Sequence, residues 1–128
     1  PTQDSFGMVK ALFDTNILID YLNAVPAART ELRRYNDKAI SIITWMEVMV
    51  GAEAEVKDAT RSFLTSFQVV GLNQPVADRA VDLRREHKIK LPDAVVWASA
   101  QIGGMILVTR NTKDFPASDP GVRHPYMV

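Results

Sequence analysis

The 128-residue chain contains no cysteine. Disulfides, thiolate metal sites and cysteine nucleophiles are therefore excluded, and the composition suits a reducing cytoplasm, the expected location. Histidine is almost as scarce. Of the two present, His87 falls in a helical stripe and His124 in a proline-broken tail, so no pair stands at zinc-site spacing. No apolar stretch approaches the roughly 20 residues that span a bilayer, and no secretory signal pattern opens the sequence, so no membrane association is expected. A net charge is missing too: 15 basic residues balance 15 acidic ones, which leaves no general attraction to nucleic acid. The chain shows no internal repeat, low-complexity tract or interdomain linker.

What is present is an ordinary globular balance, 47% hydrophobic and 23% charged, enough for one cored domain. The stretch PTQDSFG (1–7) reads as an added N-terminal extension ahead of Met8, and a single domain is expected over 8–128.

Strand and helix patterns alternate along it. Residues 10–13 predict a buried strand and 16–22 a helix; Pro26 opens a second helix with Val25, Ala28, Leu32 and Tyr35 on one face. The β-branched run 39–43 predicts the second strand, ended by Thr44, which starts a helix over TWMEVMVGA. A further helix is expected over 55–67, with Val56, Ala59, Phe63 and Phe67 facing inward, then a strand over 68–72. Asn73 caps a helix whose stripe is Val76, Ala80 and Leu83, with His87 at its edge. LPDAVVWASAQIGG is apolar nearly all round and predicts a central helix, followed by a strand over 105–109 and a ragged edge strand in VRHPYMV. This order implies an α/β fold, a central, mostly parallel sheet of four to five strands with helices on both faces.

Sites in such sheets form beyond the carboxyl ends of the strands. Asp14 follows the first strand, Glu47 lies a helical turn past the second, Asp93 opens the central helix, and Asn111 and Asp114 follow the fourth strand. Each has a structural use: Asp14 as a helix cap, Glu47 in a capping box with Thr44, Asp93 at a helix dipole, Asp114 as a loop acid. Together they crowd one pole of the sheet, where like charges raise each other's pKa unless a cation intervenes. Carboxylate oxygens without imidazole or thiolate suit Mg²⁺ or Mn²⁺.

Four blocks, MVKALFDTNILIDYL, SIITWMEVMVGA, LPDAVVWASA and ILVTRNTKDF, resemble in order and spacing the motif blocks of PIN-domain ribonucleases, specifically the VapC-type toxins of bacterial toxin–antitoxin pairs. The resemblance runs from Met8 to about Phe115 and implies a PIN-like three-layer fold. It implies Asp14, Glu47 and Asp93 as metal-binding acids, with a fourth polar group from RNTKDF. Asn111 stands where many relatives of the wider fold carry an acid; Asp114 brings the charge and is the favoured fourth member. A bound divalent ion acidifies water for in-line attack on a phosphodiester, and one or two ions serve. Thr15, Asn16 and Thr109 are candidate supports behind the acids. Arg84, Arg85, Lys88 and Lys90, from RREHKIK, with Arg110 and Lys113 are candidate phosphate contacts. RNA as substrate, translation blocked by its cleavage, a VapB-type antitoxin covering the acidic pole and a homodimer are what the resemblance implies. Trp45, Met46 and Met49 are candidate contacts for those partners. Two other readings remain open at this point: a receiver-like Mg²⁺-binding signalling module and a metal-free binding domain whose acids are only caps.

Overall fold

A strand of four residues can be the centre of a sheet only if both of its faces are apolar, and KALF meets that requirement. In the computed structural model, which describes residues 9–128, β1 (Lys10–Phe13) buries Ala11, Leu12 and Phe13 completely. The expected extension over 1–7 and the start at Met8 lie outside the described residues. Around β1 lie β2 (Asp37–Ser41), β3 (Gln68–Val70), β4 (Ile106–Val108) and β5 (Val122–Arg123), in the order β3-β2-β1-β4-β5, and every pairing is parallel. A receiver-like module is excluded by this order, since that architecture places its first strand between the second and third.

The period-2 alternation of the strands splits the core into two layers. Leu12, Ala39 and Leu107 face one side, against α5 (Gln74–His87) and α6 (Leu91–Ile102). Ala11, Phe13, Ile40 and Val108 face the other, against α1 (Thr15–Leu22), α2 (Pro26–Arg33), α3 (Ile42–Gly51) and α4 (Lys57–Leu64). Phe13 meets Tyr35 and Phe67 edge-on at 5.5 and 6.1 Å. Such pairs add about 0.5–1.5 kcal/mol each beyond the burial itself. The α6 helix is central, as its sequence predicts: Ala94 to Ala100 are buried without interruption, and Trp97 packs edge-on to Phe115 at 5.5 Å. No described helix is long and apolar enough to cross a membrane.

Three local expectations are corrected. The second strand ends at Ser41, so Ile42 and Ile43 belong to α3. Ser41 is the cap, its Oγ accepting from Ile43 N at 3.0 Å, so the Thr44–Glu47 capping box does not form. The helix expected over 55–67 divides into a 3₁₀ turn at Ala54–Val56 and α4. The Thr65 and Ser66 hydroxyls end α4 by donating to the carbonyls of Ser62 and Phe63 at 2.6 and 2.8 Å. Its buried face is Thr60 and Leu64, whereas Val56 and Ala59 are exposed.

Candidate active site

At the carboxyl end of the sheet, the chain leaves β1 into α1 on one side and leaves β4 into a loop next to it. Strand order reverses here, between β1 and β4, which is where a doubly wound sheet opens a crevice. A cleft of about 630 Å³ occupies the position, and Asp14, Glu47, Asp93, Arg110 and Asn111 all line it.

Asp14 is both cap and wall. Its backbone is extended at the start of α1, and its Oδ1 accepts from Thr15 N at 2.8 Å. Oδ2 accepts from the Thr109 hydroxyl at 2.8 Å and from Asn16 Nδ2 at 3.2 Å. The three supports expected from the sequence thus all touch this one carboxylate. Asn16 also spans the crevice, accepting from Arg110 N at 3.1 Å. Burial raises the Asp14 carboxyl above its ordinary pKa and the Glu47 charge adds to this, while the bonds from Thr109, Thr15 and Asn16 oppose the rise.

Released from any capping box, Glu47 turns across the cleft and accepts from the Thr15 hydroxyl at 2.6 Å. Thr15 Oγ1 lies 3.1 Å from that of buried Thr44, which backs the pair. Asp93, in the first turn of α6, has its pKa raised to about 6. Burial is the main cause, followed by the charges of Asp14, Asp114 and Glu47, with Lys90 acting the other way. Asp93 therefore senses the other three acids, and Asp14 senses Glu47. Asn111 lies on the cleft wall and Asp114 behind it: Asn111 Nδ2 donates to Asp114 Oδ2 at 3.0 Å, and Asp114 N donates to Asn111 Oδ1 at 3.1 Å. Among the described residues no three acids or histidines are drawn tightly enough to form a ready-made metal cage. Asp14, Glu47 and Asp114 each accept from side-chain donors within the protein.

The six candidate phosphate contacts separate. Arg110 lines the cleft, and Lys90 is near enough to oppose the rise at Asp93. Arg84 is engaged in closing α5, its Nη1 donating to Ile89 O at 2.6 Å. Arg85, Lys88 and Lys113 are exposed and do not line the cleft. Sequence reasoning missed Asp20, a carboxylate on the apolar stripe of α1 that accepts from Arg110 and from Tyr126. An acid inside NILIDYL was the available signal.

A family model described as the PIN domain matches residues 11–118. The chain belongs to the PIN-domain family. It is 33% identical over 113 residues to ribonuclease VapC10 of Mycobacterium tuberculosis, an alignment covering 82% of this chain and 85% of that protein. Its fold is similar to that of a toxin–antitoxin complex from Klebsiella pneumoniae, with 49% identity, a TM-score of 0.89 and coverage of 93% of this chain and 100% of that one. FitAcB from Neisseria gonorrhoeae shares the fold at 24% identity and a TM-score of 0.78, with 92% and 99% covered. In this PIN domain, Asp14, Glu47, Asp93, Arg110, Asn111 and Asp114 all fall inside the matched stretch, while β5 and Tyr126 lie beyond it.

Proposed function

We propose that this PIN domain is a divalent-metal-dependent endoribonuclease, the toxin of a toxin–antitoxin pair, acting as a single domain. One observation carries the reading: Asp14, Glu47 and Asp93, from three separate elements, line one cleft, where burial and, after it, the charges of the neighbouring acids raise the Asp93 pKa to about 6. Proteins do not gather mutually repelling carboxylates without a compensating cation or proton. The names of its relatives, a ribonuclease and a toxin–antitoxin complex, support the same conclusion.

The donor set fits a hard ion such as Mg²⁺, or Mn²⁺, because every candidate ligand on the cleft wall is an oxygen. Asp14, Glu47 and Asp93 would hold it. When bound, a divalent ion supplies positive charge to the phosphoryl oxygens and acidifies water at neutral pH. Thr15 fixes the direction of Glu47; Thr109 and Asn16 fix that of Asp14. Asp114 adds negative charge from behind and orients Asn111, whose amide forms part of the wall. Arg110 and Lys90 offset the acids for an incoming RNA backbone.

The partner side has a surface as well. Beside the cleft, and sharing Ile19 with it, runs an apolar groove of about 420 Å³ lined by Leu22, Val48, Val56 and Ala59. Exposed Met46 and Val50 border the cleft, whereas Trp45 and Met49 pack partly into the core. A VapB-type antitoxin segment lying along this groove would cover the acids, and a homodimer of the toxin accompanies it in this reading.

End-labelled RNA incubated with the purified chain tests the proposal. Cleavage is expected with Mg²⁺ or Mn²⁺, none with EDTA, and none from Asp14→Asn. Undiminished cleavage in EDTA, or a wild-type rate from Asp14→Asn, overturns it.

A further inference from the structure

We infer that Asp20 and Tyr126 form a clamp that presents the Arg110 guanidinium to an RNA phosphate at the mouth of the acidic cleft. The inference rests on the nuclease reading above and adds two positioning residues to it.

Among the described residues, Arg110 is the only cationic side chain lining a cleft walled by three carboxylates. It does not hang free. Its Nε donates to Asp20 Oδ2 at 2.5 Å and its Nη2 to Asp20 Oδ1 at 3.1 Å, a two-pronged pair that fixes the plane of the group. Tyr126, on the C-terminal segment, donates its hydroxyl to the same Asp20 Oδ2 at 2.9 Å. Asp20 is buried, and a buried carboxylate is tolerated only when its oxygens are satisfied. Arg110 and Tyr126 together do this, so each depends on the other's presence.

The geometry also leaves Arg110 usable. A guanidinium has five N–H donors, and Asp20 takes two. The side chain keeps 30% of its exposure. Its own backbone N–H is bonded to Asn16, which donates to Asp14, so the clamp is joined to the acids by two further hydrogen bonds. A second pair, Arg123 to buried Glu31 at 2.7 and 3.0 Å, anchors the segment that carries Tyr126. A planar donor held at fixed depth beside an acidic centre matches a phosphate oxygen of the strand being cut, and lysine does not reproduce that fork.

The test measures binding of a fluorescent single-stranded RNA oligonucleotide in EDTA at several salt concentrations, and KM and kcat for its cleavage with Mg²⁺. Arg110→Ala is expected to lower the slope of log affinity against log salt by about 0.7, the value for one lost phosphate contact. Tyr126→Phe, which keeps the ring, is expected to weaken binding and raise KM by about 3-fold, with kcat within about 2-fold. Asp20→Asn is expected to do the same more strongly, and Arg110→Lys to fail to restore affinity. Should Asp20→Asn not fold, Tyr126→Phe and Arg110→Lys decide. Wild-type affinity and KM in both overturn the clamp, as does a fall in kcat at constant KM. If RNA binding shifts as stated but no cleavage occurs in any variant or in the wild type, the clamp stands and the nuclease reading fails.

Discussion

The Thr15 hydroxyl donates to Glu47 Oε1 over 2.6 Å, joining the first turn of α1 to α3 across the cleft. Glu47 is exposed, so this bond and its neighbour Thr44 are what direct it toward Asp14. Replacing Thr15 with Val keeps the shape and removes the donor. RNA cleavage should fall about 10-fold, as for other residues that orient an acid, while Thr15→Ser restores it. Initial cleavage rates beside thermal melts check this; a parallel collapse of the melting temperature would make Thr15 merely structural.

Asp14 and Asp93 should respond alike in activity and oppositely in stability. Either Asn variant is expected to lose cleavage by at least about 100-fold. Asp93→Asn removes a repelled carboxylate and should stabilise the metal-free chain at neutral pH. Asp14→Asn turns an amide toward the Thr109 and Asn16 donors and should not gain stability. Denaturant midpoints of the two proteins distinguish these outcomes.

The raised Asp93 pKa fixes the sign of a pH effect. In the folded chain it lies at about 6 against 3.8 for the free side chain, so protons bind the folded state more tightly. The stability this contributes is full below 3.8 and is lost as pH rises through about 6, on the order of 1–2 kcal/mol after allowance for partial exposure. Asp93→Asn should flatten that limb. Mg²⁺ or Mn²⁺ competes for the same oxygens, so saturating ion should raise the melting temperature by a few degrees at pH 8 and by less at pH 5. Melts at both pH values, with and without ion, decide it; an equal shift at the two would remove Asp93 from the binding set.

Asn111 and Asp114 form one unit through two reciprocal bonds. Asp114→Asn is expected to shift the Mg²⁺ dependence of cleavage rightward by about 3- to 10-fold, more than Asn111→Ala. Because the two side chains hold each other, the double variant should be little worse than Asp114→Asn alone. Strict additivity of the two single effects would show that they act independently.

Much of this arrangement is legible in the sequence because it depends on local signals. Asp14 ends an apolar strand and caps the helix after it; Asp93 follows Pro92 at the head of a helix too apolar to be peripheral. The second strand was harder, because Ile42 and Ile43 look like its continuation, and only the Ser41 hydroxyl, accepting from Ile43 N, makes that residue the cap in place of Thr44. The basic run was misleading for a different reason: Arg84 is engaged by the Ile89 carbonyl, a bond that helical periodicity does not encode. Asp20 and Tyr126 are 106 residues apart, and no pattern of either segment names the other.

The place of β1 between β2 and β4 sets an order of events on the ribosome. Asp14, Glu47 and Asp93 are all translated before β4, yet the Thr109 hydroxyl that fixes Asp14 comes 95 residues after it. At the usual pace of synthesis that interval lasts roughly 5 to 20 seconds, during which β1 has one open edge and the acids have no facing wall. The Asp14 carboxylate thus acquires its Thr109 donor only after all three acids have been made.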